Sequence, residues 1–133
     1  MRRAVVDFLD GELDRLGLRP ERLVLAGFSQ GGITALHVGL RHRAKLGGIV
    51  AYAGFLPGGE PVERLNGTPV TLVHGEKDPV VPVFASVQTA EALKRAGVPV
   101  ALHRLADTGH VVSEVGLGIA RQVLRKTMAQ SET

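Results

Sequence analysis

The chain has 133 residues, of which 44% are hydrophobic and 22% are charged, and it contains 17 glycines and no cysteine. These fractions are typical of one globular domain and exclude wholesale disorder, and the lack of cysteine excludes disulfides, cysteine-ligated zinc and a thiol nucleophile. The net charge is only +3 and the aromatic content is 4%; because the basic residues are also scattered along the chain, we expect no nucleic-acid partner.

Neither a membrane span nor a secretion signal is evident in the sequence. No uninterrupted apolar run approaches the roughly 18 residues that a membrane-spanning helix needs. At the N-terminus, Asp7 interrupts the chain before the apolar core of a signal peptide could form. We therefore expect a cytoplasmic protein.

The first third of the chain predicts a helix, a buried strand and a second helix. Apolar residues at helical spacing predict a helix over residues 4–16, and Gly17 is suited to end it. Residues 22–28 are a short apolar run, as expected of a strand that is buried on both faces. After a turn at residues 29–32, helical spacing resumes and continues to about Arg43.

Strands and helices continue to alternate through the rest of the chain, separated by loops rich in glycine and proline. The later predicted elements are strands at 48–53, 69–74 and 99–105, loops at 54–68 and 75–82, helices that begin near Val83 and Val112, and a frayed tail at 128–133.

This alternation predicts an α/β fold: a parallel four-stranded sheet with helices on both faces and right-handed crossovers. In such a sheet, functional groups gather in the loops that follow the carboxyl ends of the strands. Three of these loops carry a chemically useful side chain, namely Ser29, Asp78 and His110.

The first of these loops contains the pattern G-x-S-x-G at Gly27–Gly31, between a predicted strand and a predicted helix. This is the context of a nucleophile elbow, a turn so tight that side chains at Gly27 and Gly31 are expected to collide with their surroundings. The alternative is that Ser29 only caps the helix that follows, as serine often does.

A serine hydroxyl becomes a nucleophile when a base accepts its proton and an acid orients that base. His110 is the leading base, since it follows the last predicted strand, and His74 is a weaker candidate that more readily holds its own loop. Asp78 is the leading acid, with Glu76 and Asp107 as alternatives. Each of these residues also has an ordinary structural interpretation, as a surface histidine or a turn carboxylate.

The chain order of serine, aspartate and histidine, each after a different parallel strand, is that of the α/β hydrolases. Four segments make the resemblance specific. They are G-F-S-Q-G-G at 27–32, A-G-F-L-P at 53–57, H-G-E-K-D-P-V-V-P at 74–82 and G-H at 109–110. Together they resemble the carboxylesterase/phospholipase family, which includes acyl-protein thioesterases, over residues 4–125.

This resemblance implies a serine hydrolase that acts on carboxylic esters or thioesters and needs no metal or other cofactor. Ser29 would be the nucleophile, Asp78 the orienting acid and His110 the general base, and the backbone N–H of Gln30 would be one oxyanion donor. Candidates for an apolar acyl pocket, each of which could also be ordinary packing, are Phe55, Leu56, Val80 and Val111.

The chain departs from the family in length. Residues 1–133 would form a single partial domain that resembles only the second half of an α/β hydrolase, so the loop with the second oxyanion donor is not expected among them. The strand at 22–28 would also have an unpaired edge. We therefore expect either a homodimer or a separate N-terminal half. The alternative is a catalytically incomplete fragment or remnant that assembles through this edge.

Overall fold

A computed structural model describes residues 2–57 and 65–131. Part of the predicted loop at 54–68 therefore lies outside the described residues. The helices are α1 (Arg2–Leu16), α2 (Gln30–Arg41), α3 (Val83–Arg95) and α4 (Glu114–Ser131), and a short 3₁₀ turn lies at Pro20–Arg22. The strands are β1 (Val24–Phe28), β2 (Gly48–Tyr52), β3 (Val70–Gly75) and β4 (Val100–Leu105).

The four strands form one parallel sheet in the order β1-β2-β3-β4, which confirms the predicted fold class. The register places Phe28 beside Tyr52, Tyr52 beside Val73, and Val73 beside His103. The strands thus end at one edge of the sheet, where the loops that follow β1, β3 and β4 meet. Within the described residues, the outer edge of β1 has no strand beside it, as predicted for the strand at 22–28.

Helices cover both faces of this sheet. On one face, α2 and α3 pack on the larger core cluster, which includes Leu36, Leu72 and Leu93, none with exposed surface. On the other face, α4 covers a smaller cluster around Val50 and Tyr52. No helix of the described residues is both long enough and apolar enough to cross a membrane.

Helix α4 continues further than the sequence indicated. The expected frayed tail at 128–133 is wrong up to Ser131, because this stretch continues the helix, whereas residues 132–133 lie outside the described part. Two long-range contacts hold the last turns in place: Thr127 Oγ1 donates to the Gly47 carbonyl at 3.4 Å, and the Arg22 guanidinium lies 3.2 Å from the Met128 sulfur.

Candidate active site

The turn between β1 and α2 holds Ser29 in a strained conformation, with φ 55° and ψ −116°. A positive φ is uncommon for a residue with a side chain, and it persists only where the surroundings enforce it. Here the Ser29 N–H donates to the Tyr52 carbonyl at 2.8 Å, and the Ser29 carbonyl accepts from the Ile33 N–H at 3.1 Å. The side chain makes no capping hydrogen bond to α2, so the capping interpretation of Ser29 is wrong.

Two glycines let this turn close, but they are not the two that the motif suggested. A Cβ at Gly27 would collide with the carbonyl oxygen of Gly31 and would lie 2.7 Å from the amide nitrogen of Gly32. A Cβ at Gly32 would lie 3.1 Å from the Cα of Gly54. At Gly31, nothing beyond its own helix lies within 4 Å, so the expected collision there is wrong. The side-chain position of Gly31 faces open space. Gly27 is instead packed against the backbone carbonyl of Gly31.

Asp78 and His110, the acid–base pair that the sequence predicts, are joined by a hydrogen bond. Asp78 Oδ2 accepts a hydrogen bond from His110 Nδ1 at 2.7 Å, and Asp78 Oδ1 accepts from the backbone N–H groups of Val80 and Val81, each at 2.8 Å. The carboxylate is fully buried and the His110 side chain is mostly buried. Both oxygens therefore have donors, and the carboxylate cannot rotate without losing them.

The environment of Asp78 favours its charged form. Burial alone would raise the pKa of this carboxyl group, but the hydrogen bond from His110 and the two backbone N–H donors outweigh it, and the net pKa lies below the ordinary value. An ionised carboxylate only accepts hydrogen bonds, so His110 Nδ1 carries a proton. In the neutral imidazole, Nε2 then has a free lone pair, as a general base requires.

Backbone contacts hold the loop after β3, which carries Asp78, against the loop after β4, which carries His110. The Lys77 N–H donates to the Thr108 carbonyl at 3.0 Å, and the Glu76 N–H donates to the Leu105 carbonyl at 2.9 Å. Gly75 permits this approach, because a Cβ there would collide with the Thr108 carbonyl oxygen. The loops after β3 and β4 thus have a fixed spacing, which sets the distance between Asp78 and His110.

The other candidate acids turn away from His110. Glu76 pairs with Arg104, and Asp107 pairs with Lys77 at 3.0 Å on the surface. Residues 2–57 and 65–131 contain no cluster of three or more histidine, aspartate or glutamate side chains that could hold a metal ion.

The sequence did not single out Phe28, whose ring packs on His110 with the ring centroids 4.7 Å apart and the planes tilted by 47°. Phe28 directly precedes Ser29 in the chain, so this contact brings His110, the predicted base, next to the turn that holds Ser29. Among the described residues, the His110 ring hydrogen-bonds only to Asp78, and no bond joins it to the Ser29 hydroxyl. Catalytic hydrogen bonds are often long before substrate binds.

Removing the Phe28 ring is expected to reduce turnover without destroying the site. Aromatic contacts of this kind contribute about 0.5–1.5 kcal/mol, so Phe28→Ala should lower kcat about three- to tenfold for the ester hydrolysis that the resemblance implies, because His110 is then less well positioned. Phe8→Ala deletes another phenylalanine ring, on α1, which is 58% exposed against 37% for Phe28, and it serves as the control. Equal kcat values in the two variants would contradict the positioning role of Phe28.

The four candidate acyl-pocket residues have different environments. Val80 and Val111 are 64% and 58% exposed, whereas Leu56 packs against the larger core cluster, which favours ordinary packing for that residue. Phe55 is half-buried. Two cavities among the described residues, of about 420 and 460 Å³, are lined by other residues, including Gly47, Pro69 and Thr127 in both cases. These cavities therefore lie away from the acid–base pair.

Known proteins place this chain in a family. A sequence profile for the phospholipase/carboxylesterase family matches residues 2–128. Acyl-protein thioesterase 1 of Gibberella zeae is 36% identical over 129 residues, which cover 92% of this chain and 54% of that protein. Acyl-protein thioesterase 1 of Saccharomyces cerevisiae is 38% identical over 86 residues, 60% of this chain and 37% of that protein.

Solved structures agree with the profile. Esterase PE8 matches with a TM-score of 0.89 at 34% identity, over 95% of this chain and 60% of that one. The Bacillus cereus carboxylesterase matches with a TM-score of 0.81 at 21% identity, over 95% of this chain and 59% of that one, and supports the fold alone. The chain spans about half the length of the curated relatives it matches (54% for the Gibberella zeae protein). With the profile covering nearly every residue, the chain belongs to the phospholipase/carboxylesterase family of α/β hydrolases.

Proposed function

We propose that this chain carries the catalytic residues of a serine hydrolase that cleaves carboxylic esters or thioesters through an acyl-enzyme on Ser29. The observation that carries the proposal is the 2.7 Å hydrogen bond between Asp78 and His110 at the same sheet edge as the strained Ser29. Membership of the family supports the reaction type, and the names of the thioesterase relatives support an acyl group as the part transferred.

The proposed reaction has two halves. His110 Nε2 accepts the proton of the Ser29 hydroxyl as Oγ bonds to the carbonyl carbon, and the tetrahedral intermediate then expels the alcohol or thiol, which takes the proton back from His110. Water repeats the attack, gives its proton to His110 and releases the carboxylic acid, while Ser29 regains its hydroxyl proton. Asp78 stays ionised and stabilises the imidazolium that forms in each half.

The developing oxyanion needs donors, and Gln30 supplies one. Gln30 is the first residue of α2, and the N–H groups of the first helical turn have no acceptor within the helix. The positive end of the helix dipole favours negative charge at the same place. A second donor would come from outside these four strands, either from a second copy or from an N-terminal half. Removing one oxyanion donor typically costs about 10²–10³-fold in turnover.

Apolar groups near the acid–base pair suit an acyl chain. Val80, Val111 and Phe28 are exposed, and Val80 and Val111 lie within two residues of Asp78 and His110. Exposed apolar side chains at a reaction site offer a surface on which a hydrocarbon chain loses its contact with water. We therefore propose that these residues contact the acyl group of the substrate.

Hydrolysis of p-nitrophenyl butyrate by the purified chain tests the proposal. Ser29→Ala should reduce the rate to that of buffer, because no other group can form the acyl-enzyme. Ser113→Ala is the matched control, since Ser113 also lies in a loop near the site but binds the backbone N–H of Gly116, and it should retain the wild-type rate.

If Ser29→Ala hydrolyses the ester as fast as the wild type, the proposal is wrong. The alternative, a noncatalytic half that assembles through its sheet edge, would then be favoured, because the outer edge of β1 has no strand beside it in the described residues.

Light scattering tests whether the chain is a homodimer. A mass of about twice the 14.1 kDa of one chain would support a homodimer.

A further inference from the structure

His74 is a buried histidine that the proposed mechanism does not use. It lies near the end of β3 and is 1% exposed. Its Nδ1 is 2.6 Å from Ser86 Oγ, and its Nε2 is 2.7 Å from the Val81 carbonyl oxygen. The same Nε2 is 3.4 Å from Asp78 Oδ2, the oxygen that His110 also binds. The acid thus lies between two imidazoles.

The partners of His74 indicate where its proton is. A carbonyl oxygen only accepts hydrogen bonds, so Nε2 must carry a hydrogen to bind Val81. In the neutral ring, Nδ1 then accepts from the Ser86 hydroxyl at 2.6 Å, and the one proton of that hydroxyl is directed to Nδ1 rather than to the Gly54 carbonyl, which lies further away at 3.3 Å. The Nε2–H group faces both the Val81 carbonyl and the Asp78 carboxylate. Because water does not reach this buried carboxylate, a nearby N–H group stabilises its negative charge more strongly than it would at the surface.

We propose that His74 is a positioning residue that fixes the orientation of the Asp78 carboxylate; this inference rests on the proposed function of Asp78 as the orienting acid. His74 acts on both carboxylate oxygens. It faces Oδ2 directly, and it holds Val81, whose own N–H donates to Oδ1 at 2.8 Å. Losing the Nε2–H group would leave the Val81 carbonyl without this donor and would loosen the loop that supplies the Val81 N–H to Oδ1, so that the carboxylate would be held less firmly against His110.

Replacing His74 by asparagine or by glutamine distinguishes the contribution of Nδ1 from that of Nε2. In His74→Asn, the amide reaches about as far as Nδ1, so it can keep the hydrogen bond to Ser86. It loses the contacts that Nε2 makes with Val81 and Asp78. In His74→Gln, the amide reaches about as far as Nε2 and can restore the donor. We expect His74→Asn to lower kcat about 10- to 100-fold with little change in KM, by analogy with the loss seen when the hydrogen-bond partner of a metal-ligating side chain is removed. We expect His74→Gln to recover most of that loss.

A purely structural role predicts a different outcome. Both variants would then lose stability together, and kcat measured on the folded fraction would be the same in each. Ser86→Ala provides a further comparison, because it removes the Nδ1 contact and leaves the Nε2 contacts, and we expect its kcat to fall less than that of His74→Asn. Measurable but equal kcat values for His74→Asn and His74→Gln, in protein shown to be folded by circular dichroism, would overturn the inference.

Proton NMR gives a readout that does not need turnover. The His110 Nδ1 proton, bonded to a buried carboxylate at 2.7 Å, should give a strongly downfield resonance that His74→Asn loses and His74→Gln retains. This result would support the inference even if the chain hydrolyses no ester. Nitrogen-15 labelling of the wild-type histidines covers the case in which His74→Asn does not fold: an Nε2–H tautomer at His74 supports the inference, and an Nδ1–H tautomer overturns it.

Discussion

Replacing Asp78 by asparagine should lower kcat for ester hydrolysis by about 10⁴-fold while the protein stays folded. The backbone N–H groups of Val80 and Val81 both donate to Oδ1, so the amide oxygen of the asparagine must occupy that place. Its NH₂ group then faces His110 Nδ1 at the position of Oδ2. Because an NH₂ group donates, it requires Nδ1 to accept, which moves the imidazole proton to Nε2.

An Nε2–H imidazole cannot accept the proton of Ser29, so the base is disabled although every heavy atom keeps its place. Asp107→Asn is the matched control, since Asp107 is exposed and pairs with Lys77, and it should keep kcat within about twofold of the wild type. Steady-state kinetics on both variants measures the effect. A kcat for Asp78→Asn within tenfold of the wild type would contradict the assignment of Asp78 as the acid.

The second large effect is expected at Gly27. A Cβ there would collide with the Gly31 carbonyl and would lie 2.7 Å from the Gly32 amide nitrogen. Both are backbone atoms of the first turn of α2, so no side chain can move aside, and β1 and α2 must separate instead. We expect Gly27→Ala to lower the free energy of unfolding by about 3 kcal/mol, at the upper end for overpacking, and to displace the Ser29 hydroxyl enough to abolish turnover.

Urea denaturation checks this expectation, with Gly31→Ala as the control. Nothing beyond its own helix lies near the Gly31 side-chain position, and alanine is the better helix former, so Gly31→Ala should be neutral or stabilising by up to about 1 kcal/mol. Of the two substitutions in this motif, only Gly27→Ala should therefore destabilise the protein. Equal destabilisation by both substitutions would show that the elbow does not have the described geometry.

The order of elements could be predicted from the sequence because each strand is a short apolar run and each helix has its own apolar periodicity. Strand β2 is buried at every position, and this is the pattern of a strand covered on both faces. The positions of Ser29, Asp78 and His110 followed from the same order, since loops after parallel strands share one edge of the sheet. These features depend on local sequence alone.

The features that the sequence could not show depend on contacts between distant segments. Gly32, rather than Gly31, is closely packed because the chain returns at Gly54 to within contact distance. The last turns of α4 are held by Gly47 and Arg22, which are far away in the sequence. No local pattern records such contacts, so helical periodicity alone placed the end of α4 too early.

The side chains that surround Asp78 and His110 could not be predicted from the sequence either. A histidine at the end of a strand gives no sign that its ring will face a carboxylate, yet His74 Nε2 lies 3.4 Å from Asp78 Oδ2. Phe28 could have been suspected only because it precedes the elbow serine. Both residues contact the acid–base pair through tertiary packing, and both are therefore better tested by substitution than inferred from spacing.

The central claim is that Ser29 is an activated nucleophile, and covalent labelling tests it most directly. A fluorophosphonate reacts with a serine whose hydroxyl is activated by a neighbouring base and leaves other serines unmodified. Intact-mass and peptide mass spectrometry should show a single phosphonyl adduct, located on Ser29 and absent from Ser29→Ala. Failure to label the folded chain, or an adduct on Ser113 instead, would contradict the account.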